Sequence, residues 1–234
     1  MKEEINVRYS RQISIPEIGE KGQEKLRNGK VMIVGCGALG SMVAMQLSGC
    51  GVGTIGISDF DTIEISNLQR QFFFKDNEAG KLKSLILEKR MKELNPEVQI
   101  TRFDSLTTEK IAKKIFKDYD FIVDATDNPE SKLMIGKICK ELKIPCCIGG
   151  VKDFSGQIIT FKPEDKRFEE YFGDTEQGGF LPCSLGGVAG PAAALCASVQ
   201  SAEVMKFLTK SGETLTGKLF HFDLLNCRFK VYEL

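Results

Sequence analysis

A short apolar run, Val31-Met32-Ile33-Val34, closes on Gly35 and opens the loop Gly35, Gly37, Gly40 in the pattern G-x-G-x-x-G. So short and continuous a run suits a strand buried on both faces of a parallel sheet, predicted over 31–35. The small residues of 38–50 suit a helix, and 53–58 a second strand ending at Asp59. Glycines let the backbone turn tightly and pass close to phosphate or ribose. The helix start supplies free N–H groups and the positive end of its dipole. Asp59 stands about 20 residues beyond the loop, where an acid meets ribose hydroxyls. Together these features predict an adenosine-binding unit. They do not choose the nucleotide, and NAD or FAD is the usual ligand of this fingerprint.

The elements then alternate. Helical spacing over 81–94 ends at Asn95-Pro96, 98–103 reads as a strand and 107–116 as a helix. A buried-type strand over 120–125 leads into a helix over 129–142 with Pro129 at its start, and then a strand over 145–150. Such alternation predicts an α/β fold, a Rossmann-like doubly wound and mostly parallel sheet. Further on, 156–161 and 218–233 read as antiparallel strands extending that sheet. A charged loop over 163–179 and a long helix over 188–208 lie between them. The expected organisation is one domain over 1–234. Its nucleotide-binding part covers about 8–150, and a crossover loop, long helix and C-terminal strands cover about 151–234.

Composition narrows the function. Hydrophobic residues at 42% suffice for a sizeable core, and 32 Lys+Arg against 32 Asp+Glu leave no excess charge to favour nucleic acid or a membrane surface. The start, Met-Lys-Glu-Glu-Ile-Asn, lacks the apolar centre of a signal peptide, and the low-charge stretch 186–202 is too weakly apolar to span a bilayer. The expected location is cytoplasmic. The eight cysteines contain no C-x-x-C pair, so the usual structural-zinc spacing is absent. His221 is the one histidine and falls in an expected strand, which argues against a Ser-His-Asp or Cys-His mechanism.

In a parallel α/β sheet ligands sit at the carboxyl ends of the strands. Asp59, Asp124 and Asp127 should converge there, with Arg70 and Lys83 flanking the loop after the second strand. That set suits attack of a carboxylate on a nucleotide phosphate. The nucleophile is already ionised at pH 7, so the work is to hold anions together with Arg, Lys and Mg²⁺. Arg70 and Lys83 are equally compatible with ordinary surface charges, and Asp127-Asn128 with a cap on the helix at Pro129.

In order along the chain come Arg8-Tyr9-Ser10-Arg11-Gln12, Gly35-Cys36-Gly37-Ala38-Leu39-Gly40, Asp59-Phe60-Asp61, Ser66-Asn67-Leu68-Gln69-Arg70-Gln71, Gly80 with Lys83, and Ala125-Thr126-Asp127-Asn128. These motifs resemble the ThiF/MoeB/HesA family, bacterial relatives of ubiquitin-activating enzymes, over about 8–229. The resemblance implies ATP-dependent adenylation of the C-terminal glycine, in a Gly-Gly tail, of a small ubiquitin-like sulfur-carrier protein. Thiamin and molybdopterin synthesis are the expected settings. It implies a nucleotide site at Gly35, Gly37, Ala38, Gly40, Asp59, Asp61, Asn67, Arg70, Lys83, Asp127 and Asn128. Asp59 would hold ribose, and Asn67, Arg70 and Lys83 would meet nucleotide and phosphates. Asp127 would bind Mg²⁺, and Arg11 would reach the neighbouring subunit's site in a homodimer.

The departures from the family pattern carry expectations too. Two zinc-binding C-x-x-C pairs common in relatives are missing, so no zinc is expected. Lys132 stands where an Arg is frequent, keeping charge without bidentate geometry. The sulfur donor is expected to be a separate protein. Cys183, ahead of the long helix, matches a cysteine that bonds covalently to the carrier in ThiF-like members, and a helix N-terminus favours its thiolate. The 163–179 loop would order over a bound carrier tail. Other readings are activation of a different carboxylate, a non-catalytic scaffold subunit, and an NAD oxidoreductase, which needs no Arg/Lys pair at a triphosphate.

Overall fold

A computed structural model describes residues 2–104, 108–163 and 186–234. Its centre is an eight-stranded sheet in the order β3-β2-β1-β4-β5-β6-β7-β8. The strands are β1 (Lys30–Val34), β2 (Thr54–Ser58), β3 (Gln99–Phe103), β4 (Phe121–Asp124), β5 (Cys146–Lys152), β6 (Ser155–Phe161), β7 (Lys218–Asp223) and β8 (Arg228–Glu233). From β3 through β5 every pairing is parallel, and from β5 through β8 every pairing is antiparallel. The expected 218–233 segment is thus a hairpin of two strands.

The described helices are α1 (Lys2–Ile13), α2 (Gly19–Asn28), α3 (Ala38–Cys50), α4 (Lys83–Leu94), α5 (Glu109–Phe116), α6 (Pro129–Leu142) and α7 (Gly190–Thr209). The first two add to the elements expected from sequence. Local chemistry sets several helix ends. Asn128 accepts from the Ser131 N–H at 2.8 Å and caps α6, with Pro129 as its first residue. Lys143 and Lys210 turn left-handed to end α6 and α7.

Alternation along the strands divides the core. Val31 and Ile33 face one cluster with Val43, Leu47, Leu87, Met91 and Ala193, which belong to α3, α4 and α7. Met32 and Val34 face the other, with Ala112 and Phe116 of α5 and Ile135 and Cys139 of α6. Both faces of the parallel strands are covered, which is why β1 and β4 read as unbroken apolar runs. No described helix is long and apolar enough to cross a membrane.

The glycine loop is fixed by close backbone packing. A Cβ on Gly40 would lie 1.8 Å from the Gly35 carbonyl oxygen, and Gly35 itself has φ +96°. Neither position accepts a side chain without moving the backbone. Above Gly37, by contrast, only the Gln71 Nε2 comes within 4 Å of where a Cβ would stand, at 3.8 Å. The loop is tight below and open above.

Candidate active site

From β1 the chain crosses through α3 to β2 on one side, and from β4 through α6 to β5 on the other. The carboxyl ends of β1 and β4 therefore border a crevice, the usual ligand position in such sheets. A cleft of about 680 Å³ opens there. Gly35, Gly37, Ala38, Asp59, Asp61, Asn67, Arg70, Lys83, Asp127 and Asn128 all line it, as does Gln71, which closes the same hexapeptide; Gly40, expected in the same set, does not, being buried against the Gly35 carbonyl. Segments more than 80 residues apart in sequence meet because the sheet order sets β1 between β2 and β4.

Asp59 is held by the backbone. Its Oδ2 accepts from the Cys36 N–H at 2.5 Å and its Oδ1 from the Asp61 N–H at 2.7 Å. Burial pushes its carboxyl above the usual carboxylate range, against the pull of those N–H groups and the Lys83 charge. Each oxygen keeps a second lone pair for a hydroxyl. Lys83 is 6% exposed at the start of α4, and its Nζ pairs with the Asp61 carboxylate at 2.9 Å. Arg70 is half-buried, with Nη1 donating to the Ser66 carbonyl at 3.1 Å. Asp127 is exposed on the opposite rim.

Two carboxamide oxygens stand out. Asn67 Oδ1 and Gln71 Oε1 are buried without a hydrogen-bond partner, and both residues line the cleft. An orphaned acceptor of this kind costs about 1–3 kcal/mol until a donor arrives or the amide turns toward a ligand. The first turn of α3 has no side-chain cap, so its N–H groups face the same space. A nucleotide fits this chemistry. It brings donors in its ribose hydroxyls and amino group, and acceptors in its phosphates. For Mg²⁺, Asp127 offers an exposed carboxylate, and one carboxylate suffices where phosphates and water complete the shell. Among the described residues no three His, Cys, Asp or Glu side chains gather as a metal cluster.

Two sequence expectations need correction. Asp124 does not reach the ligand space: it is fully buried, its Oδ1 accepting from Thr126 N–H and Oγ1 at 3.0 and 2.6 Å. Lys132 does not supply charge to the cleft either. Its Nζ is buried on Asp124 Oδ2 at 2.8 Å and the Gly149 carbonyl at 2.7 Å. One turn into α6 the helix face points at the strand ends, and position in sequence does not reveal that. Arg11 lies exposed on α1 and does not line the cleft of its own chain. Cys183 and 164–179 of the crossover loop lie outside the described residues. Of the eight cysteines, Cys36, Cys139, Cys146, Cys147 and Cys196 are buried, Cys50 is half-buried and Cys227 is exposed.

Sequence comparison gives the lineage of this arrangement. The ThiF family model matches residues 9–234. The chain belongs to the ThiF family. Among members, the adenylyltransferase and sulfurtransferase MOCS3 of Dictyostelium discoideum is 35% identical over 97% of this chain and 54% of its own length. The chain thus spans about half of that relative. The sulfur carrier protein adenylyltransferase of Thermus thermophilus is 34% identical, over 98% of this chain and 87% of its own. In three dimensions the crystal structure of PaaA aligns with a TM-score of 0.83 at 25% identity, over 98% of this chain and 73% of its own. Family membership and the likeness to PaaA agree with the α/β fold, mostly parallel with antiparallel strands at its C-terminal end.

Proposed function

We propose that the chain uses ATP to adenylate the C-terminal glycine carboxylate of a ubiquitin-like sulfur-carrier protein, releasing pyrophosphate. The observation that carries this is the placing of Arg70 and Lys83 beside the uncapped start of α3, around one cleft. Cations at that spot serve a triphosphate, whereas hydride transfer has no need of them. The sulfur-carrier adenylyltransferases among its relatives support the substrate class. The gene setting, thiamin or molybdopterin, follows from the carrier.

A carboxylate oxygen of the carrier attacks the α-phosphorus. The bond from that phosphorus to the bridging oxygen breaks, and the electron pair leaves with pyrophosphate. No base is required, because the nucleophile is already an anion. Asp59 holds the ribose through its remaining lone pairs. Arg70 leaves the Ser66 carbonyl for phosphate oxygens, where its planar fork binds two at once, and Lys83 adds a point charge steadied by Asp61. A Mg²⁺ at Asp127 would supply further positive charge to the phosphates. In a homodimer, Arg11 extends from α1 toward the neighbouring site. Cys183, as its thiolate, attacks the carbonyl carbon of the acyl-adenylate and forms a thioester with the carrier, the carbon–oxygen bond breaking with AMP as the leaving group.

The test is ATP–pyrophosphate exchange with small proteins ending in Gly-Gly. Exchange that requires the terminal glycine is the expected result. ATP binding without exchange for any such protein would point to a different carboxylate or to a scaffold subunit. A pH series adds a second check. Asp59 accepts ribose hydroxyls as a carboxylate, and its raised pKa means the acceptor is lost on acidification sooner than for an ordinary Asp. ATP affinity by calorimetry should fall as pH drops toward that range, and Asp59→Asn should flatten the fall. An identical pH profile in Asp59→Asn would assign the dependence elsewhere.

A further inference from the structure

The Asp124–Lys132 pair is the one buried ion pair beneath the cleft among the described residues, and it spends no charge on the ligand. Its geometry ties together the parts that do meet the ligand. Lys132 Nζ bridges the Asp124 carboxylate, at the end of β4, and the Gly149 carbonyl of β5, at 2.8 and 2.7 Å. Asp124 Oδ1 in turn grips Thr126 through both its N–H and its hydroxyl, at 3.0 and 2.6 Å. From the other face of the sheet, Gln200 of α7 donates to the Asp124 carbonyl at 2.9 Å. Thr126 and Gly149 line the cleft, and Asp127 follows Thr126 directly.

We propose that Lys132 and Asp124 are positioning residues that fix the Thr126–Asp127 turn and the β5 rim for adenylyl transfer. The inference rests on the adenylation reading. The ammonium sets the spacing between the ends of β4 and β5, and the carboxylate sets the direction in which Asp127 leaves the strand. A buried pair is seldom kept for stability alone, because apolar residues of like volume often serve as well. Here the pair offers what apolar residues lack, four directional bonds: one within the pair, two to Thr126 and one to the β5 backbone. Displacing a reacting partner by about 1 Å is enough to cost about 10²-fold in rate.

The decisive variant is Asp124→Leu/Lys132→Met, which removes both charges and so spares the fold an unpaired one. Thermal midpoint, amide hydrogen exchange across 125–128, the ATP dissociation constant and kcat for exchange would be measured on the full chain. The expected result is a midpoint well above that of Lys132→Met alone, with faster amide exchange at Thr126. ATP affinity should stay within about threefold and kcat should fall about 10²-fold. Should the double variant not fold, Thr126→Val removes only the hydroxyl bond to Asp124 and carries the same test. It should lower kcat while leaving ATP affinity in place. A folded variant with wild-type kcat and wild-type protection at Thr126 would overturn the positioning role. Absence of exchange in the wild-type chain would instead sink the adenylation reading, and the Thr126 protection would still decide whether the pair holds the turn.

Discussion

Replacing Arg70 by Ala should lower carrier-dependent ATP–pyrophosphate exchange by about 10²–10³-fold, the usual loss when a preorganised donor to developing charge is removed. Stability should change by no more than about 0.5 kcal/mol, since the side chain is half-buried and its one polar contact among the described residues is the Ser66 carbonyl. Arg70→Lys separates charge from shape. It keeps the cation but not the two-pronged geometry, so exchange should recover only in part. Exchange kinetics beside a thermal melt check both halves. An Arg70→Ala chain with wild-type exchange would leave Lys83 and the α3 start as the phosphate-binding elements.

Lys132→Met should destabilise the fold by about 3–5 kcal/mol, the range for stripping one partner from a buried pair. For a chain of this size that lowers the unfolding midpoint by about 6–20 °C. The size of the effect comes from what stays behind: Asp124 has no exposed side-chain surface, so its carboxylate would face Gly149 and α6 without water or counter-charge. By comparison, the pair Lys113–Glu109 on the surface of α5 should change the midpoint little when broken, because its carboxylate stays solvated. Calorimetric melts of the two single variants make the comparison. A midpoint for Lys132→Met within about 2 °C of wild type would show that Nζ does not neutralise Asp124.

The contrast between Arg70 and Lys132 shows where the sequence was legible. The parallel half could be read because each signal was local: apolar runs for strands, an Asn-Pro break, a Pro and an Asn at the start of α6. The glycine loop gave the position of the cleft for the same reason, since its requirement is steric and confined to a few residues. The direction of a charged side chain is a property of packing, so Lys132 looked like a ligand cation and is a buried tie. Gln71 was visible as the last letter of the hexapeptide but carried no sign of its unpartnered oxygen. The N-terminal helices escaped because α2 buries only Gly22, Gln23 and Leu26, too thin a stripe to register as periodic.

The long helix α7 has a consequence for how the molecule is made. It packs across α3, β5 and β6, and its Gln200 reaches the backbone of both β4 and β5. A ribosome releases residues 8–150, with every expected phosphate contact, well before α7 emerges. Synthesis runs at about 5–20 residues per second, so for several seconds the nascent nucleotide-binding half waits with one face of its sheet covered by α3 and α4 but not yet by α7. Truncated chains that stop short of α7 should accordingly be clients of chaperones and not small ATP-binding domains.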